Sequence, residues 1–172
     1  QLVLFSNNYS NLLGADLTAS GGSGSGELYN GGSAIAKGLE FELSIDPFMD
    51  GPFDHLSMPI RVAYTYTDAS FSNTFSSELD AWGDVEMGDA FPYLAPHQLS
   101  IVTSIEIGDV SADISGRYTS SMRTEAGQGD ANQTSSTDAS VILDSGFSYL
   151  ASENITLSFG VTNVLNGTFV VA

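Results

Sequence analysis

The sequence predicts an all-β fold, specifically a segment of an antiparallel transmembrane β-barrel with about seven strands. In residues 39–46, apolar side chains alternate strictly with Glu, Ser and Asp. Because successive side chains of a strand point to opposite faces, this pattern gives one apolar and one polar face. Several candidate strands exceed ten residues, which is enough to cross an apolar band of ~25 Å at a tilt. Their connections alternate between long and short, as in membrane barrels.

Seven strands follow from this alternation. They span residues 1–9, 28–48, 58–71, 91–107, 110–124, 137–150 and 155 onward. Long loops are predicted over residues 10–27, 72–90 and 125–136, and short turns over residues 49–57, 108–109 and 152–154. Since consecutive strands run in opposite directions, we expect all short turns at one end of the barrel and all long loops at the other.

Residue parity predicts which side chains point to lipid. The predicted lipid-facing positions include Leu43, Val62, Ile101, Ile114, Leu143 and Leu157. Tyrosines lie near the edges of the apolar stretches, at positions 64, 66, 118 and 149. An amphipathic ring at such a position suits a membrane–water boundary, although Tyr is also common in strands for packing reasons. The same alternation also fits a soluble β-sandwich, in which the apolar face lies in a core.

Composition excludes several classes of function. The chain has 172 residues, with 21 acidic and 4 basic side chains and a formal net charge of -17. Nucleic-acid backbones require Lys and Arg, so no nucleic-acid partner is expected. With no Cys there is no disulfide framework or thiol chemistry. Both ends of the sequence fall in strand-like runs, so we expect a piece of a longer protein.

No residue pattern predicts an enzyme. The two histidines, His55 and His97, are far apart in the sequence, and no Ser/His/Asp arrangement is present. An acidic loop over residues 78–89 surrounds the only tryptophan, Trp82. Its carboxylates suit calcium but lack the spacing of a known calcium loop. A solvated acidic loop is therefore favoured over a cation site, whose weak candidates are Asp80, Asp84, Glu86 and Asp89. No resident metal or cofactor is expected.

The few basic residues are candidate contacts. By parity, Arg61, Arg117 and Arg123 face away from the apolar side and so into the barrel lumen. They are predicted either to form ion pairs with plug-facing carboxylates or to contact an anionic ligand, the first being favoured. The candidate carboxylates are Glu40, Glu42 and Asp113. Lys37 shares the parity of Leu39 but lies toward the long loops, where a lipid phosphate would meet it.

Several segments resemble one family. They are NGGSAIAKGLEFELS (30–44), PIRVAYTYTDASF (59–71), DAWGDVEMGDAFPYLAPHQLS (80–100), GRYTSSMRTEAGQG (116–129) and NITLSFGVTNVLNGTFVVA (154–172). The most specific parts are an A-x-x-x-G-x-E signature (Ala34, Gly38, Glu40) and the P-H-Q-L segment (Pro96, His97, Gln98, Leu99). Together they resemble the C-terminal barrel of TonB-dependent outer-membrane receptors, especially ferric-citrate-type siderophore receptors.

The resemblance implies a barrel of ~22 strands with a plugged lumen. Residues 1–172 would then be a partial barrel domain, with the plug and the last strand outside this sequence. It implies energised uptake of a ferric siderophore or similar scarce nutrient across a Gram-negative outer membrane. The implied partners are a TonB-type energising protein acting through the plug, lipopolysaccharide and a small-molecule ligand, with the ferric chelate as cargo. The implied ligand contacts are Arg61, Arg117, Arg123 and Trp82.

Two alternatives remain at this stage. A small stand-alone barrel or surface adhesion module would bind without transport, and it predicts an even number of strands that close within this chain. A soluble β-sandwich ranks third, and it predicts solubility without detergent.

Overall fold

The computed structural model describes residues 1–15, 28–49, 56–78, 81–130 and 135–168. Its strands are β1 (Leu2–Ser10), β2 (Leu13–Ala15), β3 (Leu28–Asn30), β4 (Ser33–Ile45), β5 (Leu56–Ser57), β6 (Ile60–Phe71), β7 (Phe75–Ser76), β8 (Asp84–Val85), β9 (His97–Ile107), β10 (Val110–Thr119), β11 (Met122–Arg123), β12 (Ser136–Thr137), β13 (Ser140–Ser152) and β14 (Ile155–Val161). The predicted all-β class is confirmed. Among these residues, no helix is long and apolar enough to cross a membrane.

One antiparallel sheet contains the seven long strands in the order β1-β4-β6-β9-β10-β13-β14. Every long strand therefore pairs with its neighbours in the chain order predicted from the sequence. The two-residue β5 also pairs with β9. Three small ribbons, β2–β3, β7–β8 and β11–β12, lie within the three long connections. The strand ends that the short turns join thus lie at one end of the sheet, and those that the long loops join lie at the other.

Strand ends depart from the sequence prediction where the chain meets the loops. β9 begins at His97, not at residue 91, because the segment before it contains Pro92 and Pro96, which lack an N–H, and turns at Tyr93 with φ 56°. The last strand ends at Val161. Beyond it, Asn163 has φ 50° and its N–H donates to Asp144 Oδ1 at 2.8 Å, so the chain turns instead of extending.

The register confirms that the six positions predicted to face lipid share one face of the sheet. Leu43 lies opposite Val62, and Val62 lies opposite Ile101. Ile101 lies opposite Gly116, which in turn lies opposite Leu143. Ile114 is two residues from Gly116 on the same strand, and Leu157 lies opposite Tyr149, which shares the parity of Leu143. We call this the apolar face and the other the polar face.

The buried core lies at the long-loop end. The buried apolar residues of the described chain are Ala34, Phe71, Val85 and Ala95. By contrast, large side chains on the apolar face are exposed, including Ile114 at 50% and Leu157 at 59%. A sandwich would cover such a face with a second sheet, and among the described residues no second large sheet is present.

The A-x-x-x-G-x-E signature has a packing explanation. Ala34 is 2% exposed and lies opposite Phe71, the largest buried side chain. At Gly38, a Cβ would collide with the carbonyl oxygen of Tyr66 and would lie 2.8 Å from the ring of Phe5. The register places Glu40 on the polar face. The first two positions therefore require small residues because β1 and β6 approach β4 closely there.

The sheet is open. Within the described chain, β1 pairs only with β4, and β14 pairs only with β13. Closure between the first and last strands, which the stand-alone barrel predicts, is therefore not found among these residues.

Candidate functional site

The long loops pack into one body, here called the loop layer, which comprises the described parts of residues 11–32, 72–96 and 120–139. Its centre is an aromatic cluster. Phe71 stacks on Phe91 with ring centroids 4.1 Å apart, and meets Phe75 and Trp82 edge-on at 5.3 and 5.6 Å. Because aromatic pairs add to the stabilisation from area burial, this cluster fixes the second loop on the end of β6.

The second and third loops are joined by backbone hydrogen bonds. Ala90 forms one bridge to Ser70 of β6 and another to Gly127 of the third loop. The N–H of Tyr93 donates to the carbonyl oxygen of Arg123 at 2.7 Å, and Gln128 Nε2 donates to the carbonyl oxygen of Met87 at 3.3 Å. The two loops therefore continue the sheet beyond β6 as one hydrogen-bonded unit.

A cleft of about 640 Å³ lies between these loops and β6. Its volume falls in the range of small-molecule sites, ~300–1,000 Å³. Apolar walls come from Tyr66, Phe91 and Leu94, and Arg123 contributes a positive charge. The cleft can therefore offer both ring surfaces and a charged donor to a ligand.

The sequence predicts Arg123 on the polar face of the sheet, but this residue lies in the loop layer. The parity argument fails because β10 ends at Thr119. The guanidinium donates to two backbone carbonyls, from Nη1 to Gly129 at 2.8 Å and from Nε to Glu125 at 3.3 Å. Among the described residues it forms no ion pair. Its guanidinium is therefore held by backbone carbonyls, and Asp68 and Asp130 line the same cleft.

Trp82 is packed rather than free. Its ring lies edge-on to Phe71 and Phe75, and a Cβ on Gly31 would lie 2.7 Å from it. It thus links the first loop to the second.

Arg61 and Arg117 lie on the polar face, as parity predicted. The register places Arg61 opposite Ser44 and Val102, and Arg117 opposite Ser100 and Ile142. The predicted ion pairs with sheet carboxylates are not formed in the part of the chain that the structure describes. There, the ion pair found is Lys37 Nζ with Asp68 Oδ2, at 3.1 Å. The two guanidiniums are therefore exposed cations on the side opposite the apolar face.

The described part of the acidic loop contains no assembled metal site. No group of three or more metal-ligating side chains is assembled among the described residues. Asp84 accepts a hydrogen bond from Ser76, and Asp89 is only 7% exposed and accepts one from the Glu86 N–H. Asp89 is therefore a structural residue of the loop layer, although the sequence predicted a solvated loop. Asp80 and His55 lie outside the described residues.

Sequence reasoning missed a polar and aromatic patch on the apolar face. Tyr64 Oη and His97 Nδ1 are 2.8 Å apart, and the ring of Tyr66 lies 5.0 Å from that of His97. Two residues farther toward the loops is the Lys37–Asp68 pair. These residues lie on three different strands, β4, β6 and β9, and it is the pairing register of those strands that brings them together.

Comparison with known proteins identifies the family. The model of the TonB-dependent receptor-like β-barrel family matches residues 1–164. None of the curated proteins matches the chain. The structure is similar to the ferric-catecholate import receptor Fiu from E. coli K12, in its closed form, with a TM-score of 0.66 and 18% identity over 98% of this chain and 21% of that one.

Two structures of the ferric enterobactin receptor PfeA from Pseudomonas aeruginosa are also similar. Both are of mutant receptors, and one is in complex with enterobactin. Each has a TM-score of 0.56 and 21% identity, over 96% of this chain and 23% of the receptor. The chain thus spans about a fifth of the length of these structures, and the likeness shows the shared fold. TonB-dependent receptor barrels are receptors and transporters of Gram-negative outer membranes. The chain belongs to the TonB-dependent receptor-like β-barrel family.

Proposed function

We propose that this chain forms part of the barrel wall of an outer-membrane receptor that takes up a ferric siderophore or a similar scarce nutrient. The observation that carries the proposal is the family match over residues 1–164, on a sheet with one apolar face and a packed loop layer at one end. Uptake would be energised by a TonB-type protein acting on a plug domain. The barrel itself needs no catalytic chemistry.

Both open edges of the sheet support a larger barrel. In hydrocarbon each unpaired backbone group costs several kcal/mol, so the outer edges of β1 and β14 must be paired in a membrane. We propose that further strands of the same protein, including a last barrel strand, occupy them, and that the plug fills the lumen on the polar face. Residues 1–172 are then a partial barrel domain.

The ligand would enter from the loop layer. Arg123 is positioned for first contact because its guanidinium lines the 640 Å³ cleft. Arg61 and Arg117 would meet the ligand or the plug in the lumen. Trp82 would act by holding the second loop, which forms part of the cleft, in place, since its ring is already packed against Phe71. Fiu and PfeA, whose names specify ferric catecholates and ferric enterobactin, make an iron chelate the first ligand to test.

The test is uptake of radiolabelled ferric enterobactin by the complete protein in a Gram-negative host that lacks its own ferric siderophore receptors. We expect uptake that disappears when the host's TonB-type protein is deleted. Arg123→Gln should raise the half-saturation concentration, whereas Asp109→Asn at the short-turn end should not change it. Uptake that persists without the TonB-type protein would overturn the energised mechanism. Absence of uptake with every iron chelate tried would overturn the siderophore assignment.

A further inference from the structure

We infer that the edge of β6 inside the cleft, at Thr67 and Ala69, binds one α-amino-acid unit of a ligand through the N–H and C=O groups of that unit. The inference rests on the proposed function and adds to it a chemical class of ligand, one with a peptide-like scaffold. Its starting point is a gap in the backbone hydrogen bonds between β6 and the second loop.

The gap lies between two hydrogen bonds on the same edge of β6. On its short-turn side, the Thr67 N–H donates to the carbonyl oxygen of Pro96 at 2.9 Å. On its loop side, the Phe91 N–H donates to the carbonyl oxygen of Ala69 at 3.2 Å. Between these bonds are the carbonyl oxygen of Thr67 and the N–H of Ala69. Neither of these two groups has a backbone partner among the described residues.

Pro96 and the turn after Phe91 produce the gap. In a regular antiparallel ladder, residue 96 would return a hydrogen bond to the Thr67 carbonyl oxygen, but Pro96 has no N–H. The Ala69 N–H would return one to Phe91, but the chain leaves the ladder there and turns at Tyr93 with φ 56°. The loop thus places four residues between Phe91 and Pro96, where a regular ladder has one.

The gap opens onto the 640 Å³ cleft. Thr67 and Ala69 both line this cleft, together with Phe91, Leu94 and Pro96. Backbone groups that are buried in proteins are almost always paired. Free groups on the wall of a cleft are therefore available to water or to a ligand that replaces it.

The order of the free groups along the strand determines what they bind. In a parallel β-bridge, the N–H of one residue donates to the carbonyl oxygen of residue i−1 on the neighbouring strand, and its C=O accepts from the N–H of residue i+1. Thr67 and Ala69 are these two residues on either side of Asp68. One extended –NH–CHR–CO– unit opposite Asp68 therefore pairs with both groups, as a peptide does when it adds to a sheet edge. A carboxylate, which has no N–H, leaves the Thr67 carbonyl oxygen unpaired.

Neither sign of charge dominates the cleft. Arg123 lines it together with two carboxylates, those of Asp68 and Asp130. The guanidinium donates to two backbone carbonyls, and Asp68 forms an ion pair with Lys37 at 3.1 Å. Recognition therefore depends on neutral hydrogen-bonding groups, and the amide scaffold of a ligand supplies them.

The first experiment measures amide hydrogen exchange at single residues of the complete receptor in mild detergent, by mass spectrometry. Without ligand, the Ala69 N–H should exchange quickly, whereas the Phe71 N–H, which donates to Asp89, should be protected. The probes are ferrichrome, a ferric chelate with a cyclic-peptide scaffold, and iron-free tri-alanine amide. Ferric citrate, which contains no amide, is the matched control and should not protect Ala69.

The two probes distinguish the source of the amino-acid unit. Protection of Ala69 by ferrichrome alone assigns the unit to the scaffold of a chelate, and protection by tri-alanine amide assigns it to a free peptide. Protection by neither would overturn the inference, as would equal protection by ferric citrate.

The second experiment closes half of the gap from within the protein. Pro96→Ala supplies the missing N–H, which can donate to the Thr67 carbonyl oxygen. Binding of the protecting probe, measured by titration calorimetry, should weaken about fivefold, the factor equivalent to the ~1 kcal/mol net contribution of one hydrogen bond. Pro92→Ala removes a proline of the same loop that does not line the cleft, and it should bind as the wild type does. Equal affinities of wild type and Pro96→Ala would contradict the inference, as would an equal loss in both variants, which would show an effect of loop conformation alone.

Uptake of iron chelates, measured in parallel, separates this inference from the proposed function. A receptor that takes up iron chelates while no probe protects Ala69 retains the proposed function and overturns this inference alone. Protection by tri-alanine amide without uptake of any iron chelate gives the reverse result.

Discussion

The ring of Phe71, at the end of β6, lies nearly parallel to that of Phe91 at 17°, with centroids 4.1 Å apart. This contact joins a barrel strand to the loop above it. Phe71 is 1% exposed, so its removal would leave a cavity in the loop layer. We expect Phe71→Ala to destabilise the loop layer by about 3–5 kcal/mol, the usual cost for a buried Phe.

Limited proteolysis of the complete protein in membranes measures this effect. The Phe71→Ala variant should be cut rapidly within the second loop, while Met87→Ala should resist cleavage as the wild type does, since Met87 is 67% exposed. Equal protease resistance of both variants would contradict the aromatic core.

The bridge between Ser70 and Ala90 predicts a disulfide. The Phe71 N–H donates to Asp89 O, and the Phe91 N–H donates to Ala69 O, so Ser70 and Ala90 form a non-hydrogen-bonded pair. The Cα atoms of such a pair lie ~4.5 Å apart, within the range of disulfides. Because the chain has no Cys, Ser70→Cys with Ala90→Cys should cross-link on oxidation, as a mobility shift on gels would show.

The matched control pairs Ser70→Cys with Asp109→Cys, which lies in a turn at the other end of the sheet. This control should remain reduced. Failure of the Ser70/Ala90 pair to cross-link under the same conditions would show that the second loop does not extend the sheet beyond β6.

Gly38 predicts a steric requirement within a strand. Gly38→Ala would place a Cβ against the carbonyl oxygen of Tyr66 and near the ring of Phe5. Overpacking of this kind costs about 1–3 kcal/mol. The control is Gly116→Ala, where the nearest atom to the new Cβ is Leu143 Cδ1 at 3.8 Å. Urea unfolding in vesicles should show a loss of stability for Gly38→Ala alone, and equal stabilities would contradict the close approach.

Strand order and faces could be predicted from sequence because both depend on a local period of two. Leu43, Val62 and Ile101 keep this period and lie together as expected. Strand ends were less accurate, since Pro92 and Pro96 interrupt the run before β9, and Asn163 turns where its N–H donates to the distant Asp144. The predicted face was wrong for Arg123, because this residue lies beyond the end of β10.

The loop layer could not be predicted because its contacts join residues far apart in the chain. Trp82 rests on Gly31, and Ala126 donates its N–H to the carbonyl oxygen of Ala81. An acidic loop of mixed sequence carries no period that would indicate Asp89 is buried. The same holds for the Lys37–Asp68 pair, which depends on the register between β4 and β6.

The turn after β4 predicts a dependence on pH. The Asp46 carboxylate accepts hydrogen bonds from Ser57 Oγ at 2.7 Å, Phe48 N at 3.0 Å and Met58 N at 3.1 Å. These bonds, chiefly that from Ser57, hold the pKa of Asp46 below its ordinary value. A lowered folded-state pKa contributes stability that is present above the unfolded-state pKa and is lost as the pH falls through the lower one.

Asp46→Asn should therefore destabilise the protein at neutral pH and flatten the loss of stability below about pH 4, near the ordinary pKa of Asp. Asp109→Asn, in the two-residue turn, serves as the control and should keep the wild-type pH profile. The measurement is the urea midpoint as a function of pH. A wild-type profile in Asp46→Asn would exclude a role for this carboxylate.

The two faces of β10 give the sharpest test of membrane insertion. Ile114 is 50% exposed on the apolar face, and the next residue, Ser115, points to the polar face between Val102 and Asp144. An Arg at a lipid-facing site near the midplane costs about 2–4 kcal/mol, whereas lumen-facing sites tolerate charge. Ile114→Arg should therefore lower the unfolding free energy of the complete barrel in vesicles by that amount. Ser115→Arg should change it little, because its guanidinium meets water and the neighbouring Asp144 carboxylate. The two substitutions are adjacent in sequence and introduce the same side chain. Any difference between their unfolding free energies therefore reflects the face of the sheet to which each side chain points. Equal costs would mean that the apolar face of this sheet does not contact lipid.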